Sequence, residues 1–249
     1  MEVTVEGSID PAPFLSARDM FATEFELNLP VNVAVRQDPS TRMGVQHTEH
    51  AHQLVIPESV ARGSLARELT LHEFGHMRRY EEGHVSHHFS TREAIWLAAC
   101  GSSVERDRLT QCYQIANHVK DIYADDLTVS ITPSDKLIHF LESSLAEVIT
   151  TSSVHPDFTG YPAREPVDPS IAAVNAAFAI GLLERHDLID STHQLYELAG
   201  ILDDRSNDIS VDDYRSQFRT IQADPTEREF RHLLVDLLGD FLAIDSGEK

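Results

Sequence analysis

His72-Glu73-Phe74-Gly75-His76 sets two histidines four residues apart, with a glutamate directly after the first. On a helix, residues i and i+4 stack on one face, so both imidazoles can reach one ion while Glu73, about 100° round the axis, reaches a water bound to it. The chemistry this spacing points to is hydrolysis of a peptide or amide bond by metal-activated water. Zn2+ is the expected cofactor, His72 and His76 are its ligands, and Glu73 is the general base. In a chain of 249 residues with 14 histidines, such a pentapeptide arises by chance roughly 0.06 times, so its surroundings must carry part of the reading. Leu65, Leu69, His72 and His76 fall at i, i+4, i+7 and i+11, which continues an apolar stripe and aims the histidines at the core. The competing reading is a pair of core histidines satisfied by hydrogen bonds.

A catalytic zinc takes three protein ligands and keeps one position for water. Metzincins place glycine six and histidine ten residues after the first histidine. This chain has Arg78 and Glu82 there and so departs from that pattern, although His84, His87 and His88 lie close enough to compete. Gluzincins take the third ligand from an acid on a later helix. Asp121-Ile122-Tyr123-Ala124-Asp125, preceded by Lys120, resembles the Glu-x-x-Ala-Asp segment of the integral-membrane CaaX-protease and heat-shock-protease type of gluzincin, with Asp in place of Glu. That resemblance implies Asp121 as third ligand and Asp125 as the carboxylate that orients a ligand histidine. A side chain one methylene shorter requires the backbone to come closer to the ion. The likeness covers two short motifs, and the membrane spans of those enzymes are absent.

Glu93 is the rival third ligand, because Glu93-Ala94-Ile95 follows the histidines at a separation close to that of thermolysin-like gluzincins. Its other reading is a capping box with Ser90. Glu105 is a weaker rival, read on the apolar side of its helix beside Cys112. The wheel over 107–125 puts Asp107, Thr110, Gln114, Asn117, Asp121 and Asp125 on one polar stripe, which faces either a cleft or solvent. Tyr113, His118 and Tyr123 are possible donors to a tetrahedral oxyanion, with nothing to select among them.

Twenty basic residues against 41 acidic ones give a net charge of −21. Such a surface repels phosphate backbones and anionic lipid heads, which argues against nucleic-acid or membrane partners and leaves a peptide or protein substrate. Lysine occurs only at 120, 136 and 249, a balance similar to that of proteins from salt-loving archaea. The whole chain also resembles an uncharacterised haloarchaeal protein family through residues 72–76 and 117–126. That likeness implies a cytoplasmic location and supplies no activity. The first residues lack a basic start and an apolar run, and no stretch approaches a membrane span. Cys100 and Cys112 are expected as core thiols in a reducing compartment, and Ile171 to Leu183 as a buried helix.

Residues 2–6, 31–36 and 53–57 read as strands. The last resembles the edge strand of the zincin layout, which lines the cleft and pairs with an extended peptide. His47, His50 and His52 read as a polar turn between strands, with a separate metal patch as the alternative. Helices are expected over 91–100, 103–127, 135–150, 170–185, 191–202, 211–222 and 225–243, the last with Asp224 as N-cap and Pro225 at N1. The fold expected is α+β, mainly α. A zincin-like lobe spans 1–150, a proline-rich connection 151–169 and a helical lobe 170–249. Two classes of function follow: a zinc metallopeptidase, or a non-catalytic zincin-like domain whose helical half binds a protein partner.

Overall fold

Valine-rich segments and long amphipathic stretches give this chain one small mixed sheet among many helices, as its sequence leads one to expect. The computed structural model describes residues 1–38, 41–101, 103–131, 133–151, 167–206 and 208–243. In chain order the elements are β1 (Val3–Glu6), α1 (Ala12–Phe21), β2 (Val31–Arg36), β3 (Gly44–His47), β4 (His52–Pro57), α2 (Glu58–Ala61) and α3 (Ala66–Glu81). There follow α4 (Val85–His88), α5 (Thr91–Ala98), α6 (Arg106–Thr128), α7 (Asp135–Thr151), α8 (Pro169–Arg185), α9 (Leu195–Arg205), α10 (Val211–Arg219) and α11 (Glu227–Ala243). Two compact units form, one from 1–89 with 120–136 and the other from 90–119 with 137–249. The expected lobe 1–150 is thus shared between them, because α6 starts in the second unit and ends in the first. Most of the proline-rich connection, 152–166, lies outside the described residues.

In the first unit the strand order is β1-β2-β4-β3, with β1, β2 and β4 parallel and β3 antiparallel at the edge. Alternation along the strands turns Val31, Val33, Leu54 and Ile56 to one face. There they bury Phe14, Ala17 and Phe21 of α1 together with Leu71, Phe74 and Met77 of α3. Phe21 and Phe74 meet edge-on with ring centroids 5.7 Å apart, which locks α1 against α3.

Two elements depart from the sequence reading. α1 is absent from it, since ten residues behind Pro11 offer few turns of periodicity. The edge role read for 53–57 passes to Gly44–His47: the backbone N–H of Thr48 donates to the Ala51 carbonyl at 3.0 Å, folding the chain back so that His47 pairs with His52 and β4 lies inside the sheet. His47 and His52 are therefore strand residues around a turn that holds His50. The Nδ1 atoms of His47 and His52 lie 2.8 Å apart. His52 Nε2 donates to Glu81 at 3.0 Å, where the backbone N–H groups of Asn28 and Leu29 also donate. Burial raises the Glu81 pKa, but those three donors outweigh it and hold the carboxyl below its usual range. This network joins β4, the chain ahead of β2 and the end of α3, and it supplies hydrogen-bond partners to His47 and His52.

In the second unit, α8 is buried nearly all round, as read for 171–183. Asp168 caps it by accepting from the N–H groups of Ser170 and Ile171. Gly181 lets α10 close in, since a Cβ there would lie 2.9 Å from Cβ of Phe218. The start of α11 is corrected from Asp224 to Thr226, whose hydroxyl accepts from Glu229 N–H at 3.3 Å while the Glu229 carboxylate accepts from Thr226 N–H at 2.8 Å. Cys112 is buried, with its thiol pushed up to about 11 by burial. Cys100 is exposed, against the expectation of two core thiols.

Candidate metal centre

α3 and the end of α6 cross where both carry small residues. A Cβ on Gly75 would lie 2.7 Å from the carbonyl oxygen of Ala124, a separation that real Cβ atoms do not adopt. Glycine inside the pentapeptide therefore lets the α6 backbone rest directly on α3. Asp121, whose side chain is short, stands three residues before Ala124 and so lies near this close approach. Gly75→Ala should cost about 1–3 kcal/mol by overpacking and move Asp121 away from the histidines. Urea unfolding and zinc titration of that variant check both effects, and unchanged values in both would show that the crossing is not constrained by Gly75.

His72, His76 and Asp121 each offer one ligand atom, and the three atoms lie within 4.8 Å of one another. Asp121 Oδ1 is 3.3 Å from His76 Nε2 and 3.7 Å from His72 Nε2. The two Nε2 atoms are 3.0 Å apart. Lone pairs cannot face one another at that distance, so either a proton or a cation must lie between them. Two imidazole nitrogens and one carboxylate oxygen are a donor set suited to a zinc-class ion. Among the described residues this is the one such group.

Behind the ligand atoms each histidine has a partner. His72 Nδ1 donates to Asp125 Oδ1 at 2.7 Å, and Thr128 Oγ1 donates to the same oxygen at 3.3 Å. His76 Nδ1 meets His87 Nε2 at 2.8 Å. Burial opposes a charge on His72, but Asp125 and Asp121 outweigh it and hold its pKa well above the usual histidine value. Burial, reinforced by His76 and Lys120, lowers His87 to about 2, so it is a neutral hydrogen-bond acceptor. Glu73 is 8% exposed. Its pKa is raised, first by burial and further by Asp121 and Asp125, while the two histidines pull it partway back. A buried carboxylate within electrostatic reach of all four groups has the environment of a general base.

The core-facing stripe is corrected in one respect. Leu71, Phe74 and Met77 face the core, while His72 and His76 are part-buried on the neighbouring face. The polar stripe of α6 also divides: Asp107, Gln114 and Asn117 are exposed, Asp121 is part-buried and Asp125 is buried. The rival ligand Glu93 has other partners. It is exposed, its backbone N–H is capped by Ser90 Oγ at 3.3 Å, and its carboxylate lies 3.7 Å from Arg231. Glu105 is exposed and precedes α6 instead of lying within it. His84 and His88 are held elsewhere, His84 by Ser86 and His88 by the Tyr80 carbonyl.

Two of the three candidate oxyanion donors bond or pack elsewhere. Tyr113 is exposed, His118 bonds Asn175 at 2.8 Å and stacks on Phe178, and Tyr123 is fully buried against His84. The role of His87 behind His76 escapes the sequence, where no spacing rule links the two.

Residues 1–243 match the family of unknown function DUF5781. The chain belongs to that family. Neither the curated proteins nor the solved structures contain a match to the chain. No helix among the described residues is long and apolar enough to cross a membrane. For this member of the family, a functional reading therefore has to come from the side chains themselves.

Proposed function

We propose that this protein is a zinc-dependent hydrolase of peptide or amide bonds, with His72, His76 and Asp121 as the metal ligands. The observation that carries the reading is the convergence of those three ligand atoms from α3 and α6, with Asp125 fixing the ring of His72. Carboxylate, histidine and ion in series is the arrangement by which proteins orient a ligand imidazole and raise its basicity. The sheet supports a zincin-like lobe, since β3 runs antiparallel at the edge that packs against the helix bearing the histidines. That edge offers unpaired backbone groups to an extended peptide.

A zinc ion bound there would lower the pKa of a water to about 7 and polarise the scissile carbonyl. Glu73 accepts the water proton on a carboxylate oxygen and passes it to the leaving amine. Its burial keeps the carboxylate out of bulk water, which favours handing the proton to the amine over losing it to solvent. Asp125 and His87 hold the two imidazoles in place throughout. A surface of net charge −21 disfavours strongly acidic peptides, so neutral or basic sequences are the expected substrates.

Zinc-loaded protein, assayed in concentrated salt to screen that self-repulsion, should cleave a mixed pool of fluorogenic peptides. Activity should vanish on chelation and return with zinc. Bound zinc without cleavage of any peptide or amide would sink the catalytic reading and leave a structural ion.

A further inference from the structure

His84, Ser86 and His87 follow α3 closely in sequence and run back to the candidate metal centre. Their hydrogen bonds have a direction that one backbone group decides. His84 precedes the single turn of α4, and its Nδ1 accepts from the backbone N–H of Ser86 at 3.3 Å. A backbone N–H can only donate, so Nδ1 of His84 carries a lone pair. The Ser86 hydroxyl, 2.7 Å from the same nitrogen, must then donate to it. Its oxygen has only lone pairs left for His87 Nδ1, also at 2.7 Å, so His87 donates from Nδ1. A neutral His87 with its proton on Nδ1 has a bare Nε2, and that nitrogen faces His76 Nδ1 at 2.8 Å. His76 must donate there, which in the neutral ring leaves its own Nε2 bare. That Nε2 is the atom beside Asp121 Oδ1 and His72 Nε2.

The chain is anchored at both ends. The His84 ring packs on Tyr123 of α6 with centroids 4.6 Å apart, and the Tyr123 carbonyl accepts from Arg79 of α3 at 2.8 Å. Ser86 is fully buried and His84 nearly so. Water therefore has little access to offer the hydroxyl a different partner.

We infer that His87 is a positioning residue, which with Ser86 and His84 behind it holds His76 in the Nδ1–H form and so presents a bare Nε2 for metal. This rests on the proposed metal site for its purpose, while the proton arrangement follows from the hydrogen bonds with neutral His76 and His87 rings. His72 donates from Nδ1 to the Asp125 carboxylate, and without metal a proton on its Nε2 fills the 3.0 Å gap to the bare Nε2 of His76. The two ligand histidines are thus oriented differently, one by an anion and the other by a neutral chain that ends on a backbone N–H.

Ring-nitrogen NMR of histidine-labelled, chelator-treated protein reads the tautomers directly. His76 and His87 should carry protons on Nδ1, and His84 on Nε2. Zinc affinity should fall about 10–100-fold in His87→Leu, the range typical of losing a group behind a ligand histidine. His87→Gln, whose amide oxygen can accept from His76 Nδ1–H, should recover most of it. Ser86→Ala removes one link further back and should leave His76 as a mixture of tautomers, in a protein whose melting temperature confirms that it is folded. A wild-type spectrum with the His76 proton on Nε2, or full zinc affinity in a folded His87→Leu variant, would overturn the inference. Wild-type protein that binds no zinc but shows the expected tautomers would uphold the hydrogen-bond chain and overturn the metal reading instead.

Discussion

His76→Ala and Asp121→Ala should each leave the protein without zinc under conditions where the wild type and Glu93→Ala retain one ion per chain. A site of three protein ligands that loses one keeps only two fixed donors, too few to close the coordination of a structural or catalytic zinc. The loss should therefore exceed the roughly 10–100-fold that removing a group behind a ligand costs. Glu93 serves as the control because its carboxylate lies 3.7 Å from Arg231 and its N–H is capped by Ser90. Its removal costs an exposed ion pair, worth little in water. Elemental mass spectrometry of tag-free protein after desalting gives the answer. Zinc retained in Asp121→Ala and lost in Glu93→Ala would reverse the ligand assignment.

That contrast shows where the sequence was legible. Helical geometry sets residues four apart on one face, so the convergence of His72 and His76 is legible from their spacing alone. Asp121 and Asp125 are likewise one turn apart, and one turn of α6 spans the same distance as one turn of α3. Two helices crossing antiparallel can then pair His72 with Asp125 and His76 with Asp121, as observed. The sequence contains both spacings but not the crossing. That depends on Gly75 lying against Ala124, a contact between residues 49 apart that no local pattern encodes. Glu93 competed because sequence separation to a third ligand is only a proxy for position.

The fold shows the same boundary. Strands at 31–36 and near 53–57 were legible, since runs of branched apolar residues satisfy a buried sheet whatever their neighbours. The four residues of β3 were not. Gly44-Val45-Gln46-His47 has little propensity of its own and becomes a strand because the turn at 48–51 lays it against β4. The partner of His76 is hidden for a related reason: the spacing of His87 reads as that of a competing ligand, and no spacing rule shows its hydrogen bond to His76.

Glu73→Gln should abolish most hydrolysis and at the same time stabilise the fold. Glutamine keeps the shape of the side chain but cannot accept the water proton, so the rate should fall by about 10²–10⁴-fold with zinc still bound. The stability effect follows from the raised pKa of the buried carboxyl. At low pH both the folded and the unfolded chain carry Glu73 protonated, and the wild type bears no penalty. As pH rises through the ordinary value of 4.5, the unfolded chain ionises first, so the native state loses stability until its own higher pKa is passed. Above that window the loss is constant. Glu73→Gln is free of it, so in chelator-treated protein its melting temperature should exceed that of the wild type at neutral pH, with the gap closing in acid. A bound dication would stabilise the carboxylate, so the gap should also shrink when zinc is restored. Thermal unfolding from about pH 4 to pH 8, with and without zinc, measures both trends. A variant that is inactive yet no more stable at neutral pH would show that Glu73 ionises in the native state without cost. A variant that cleaves as fast as the wild type would remove Glu73 from the chemistry.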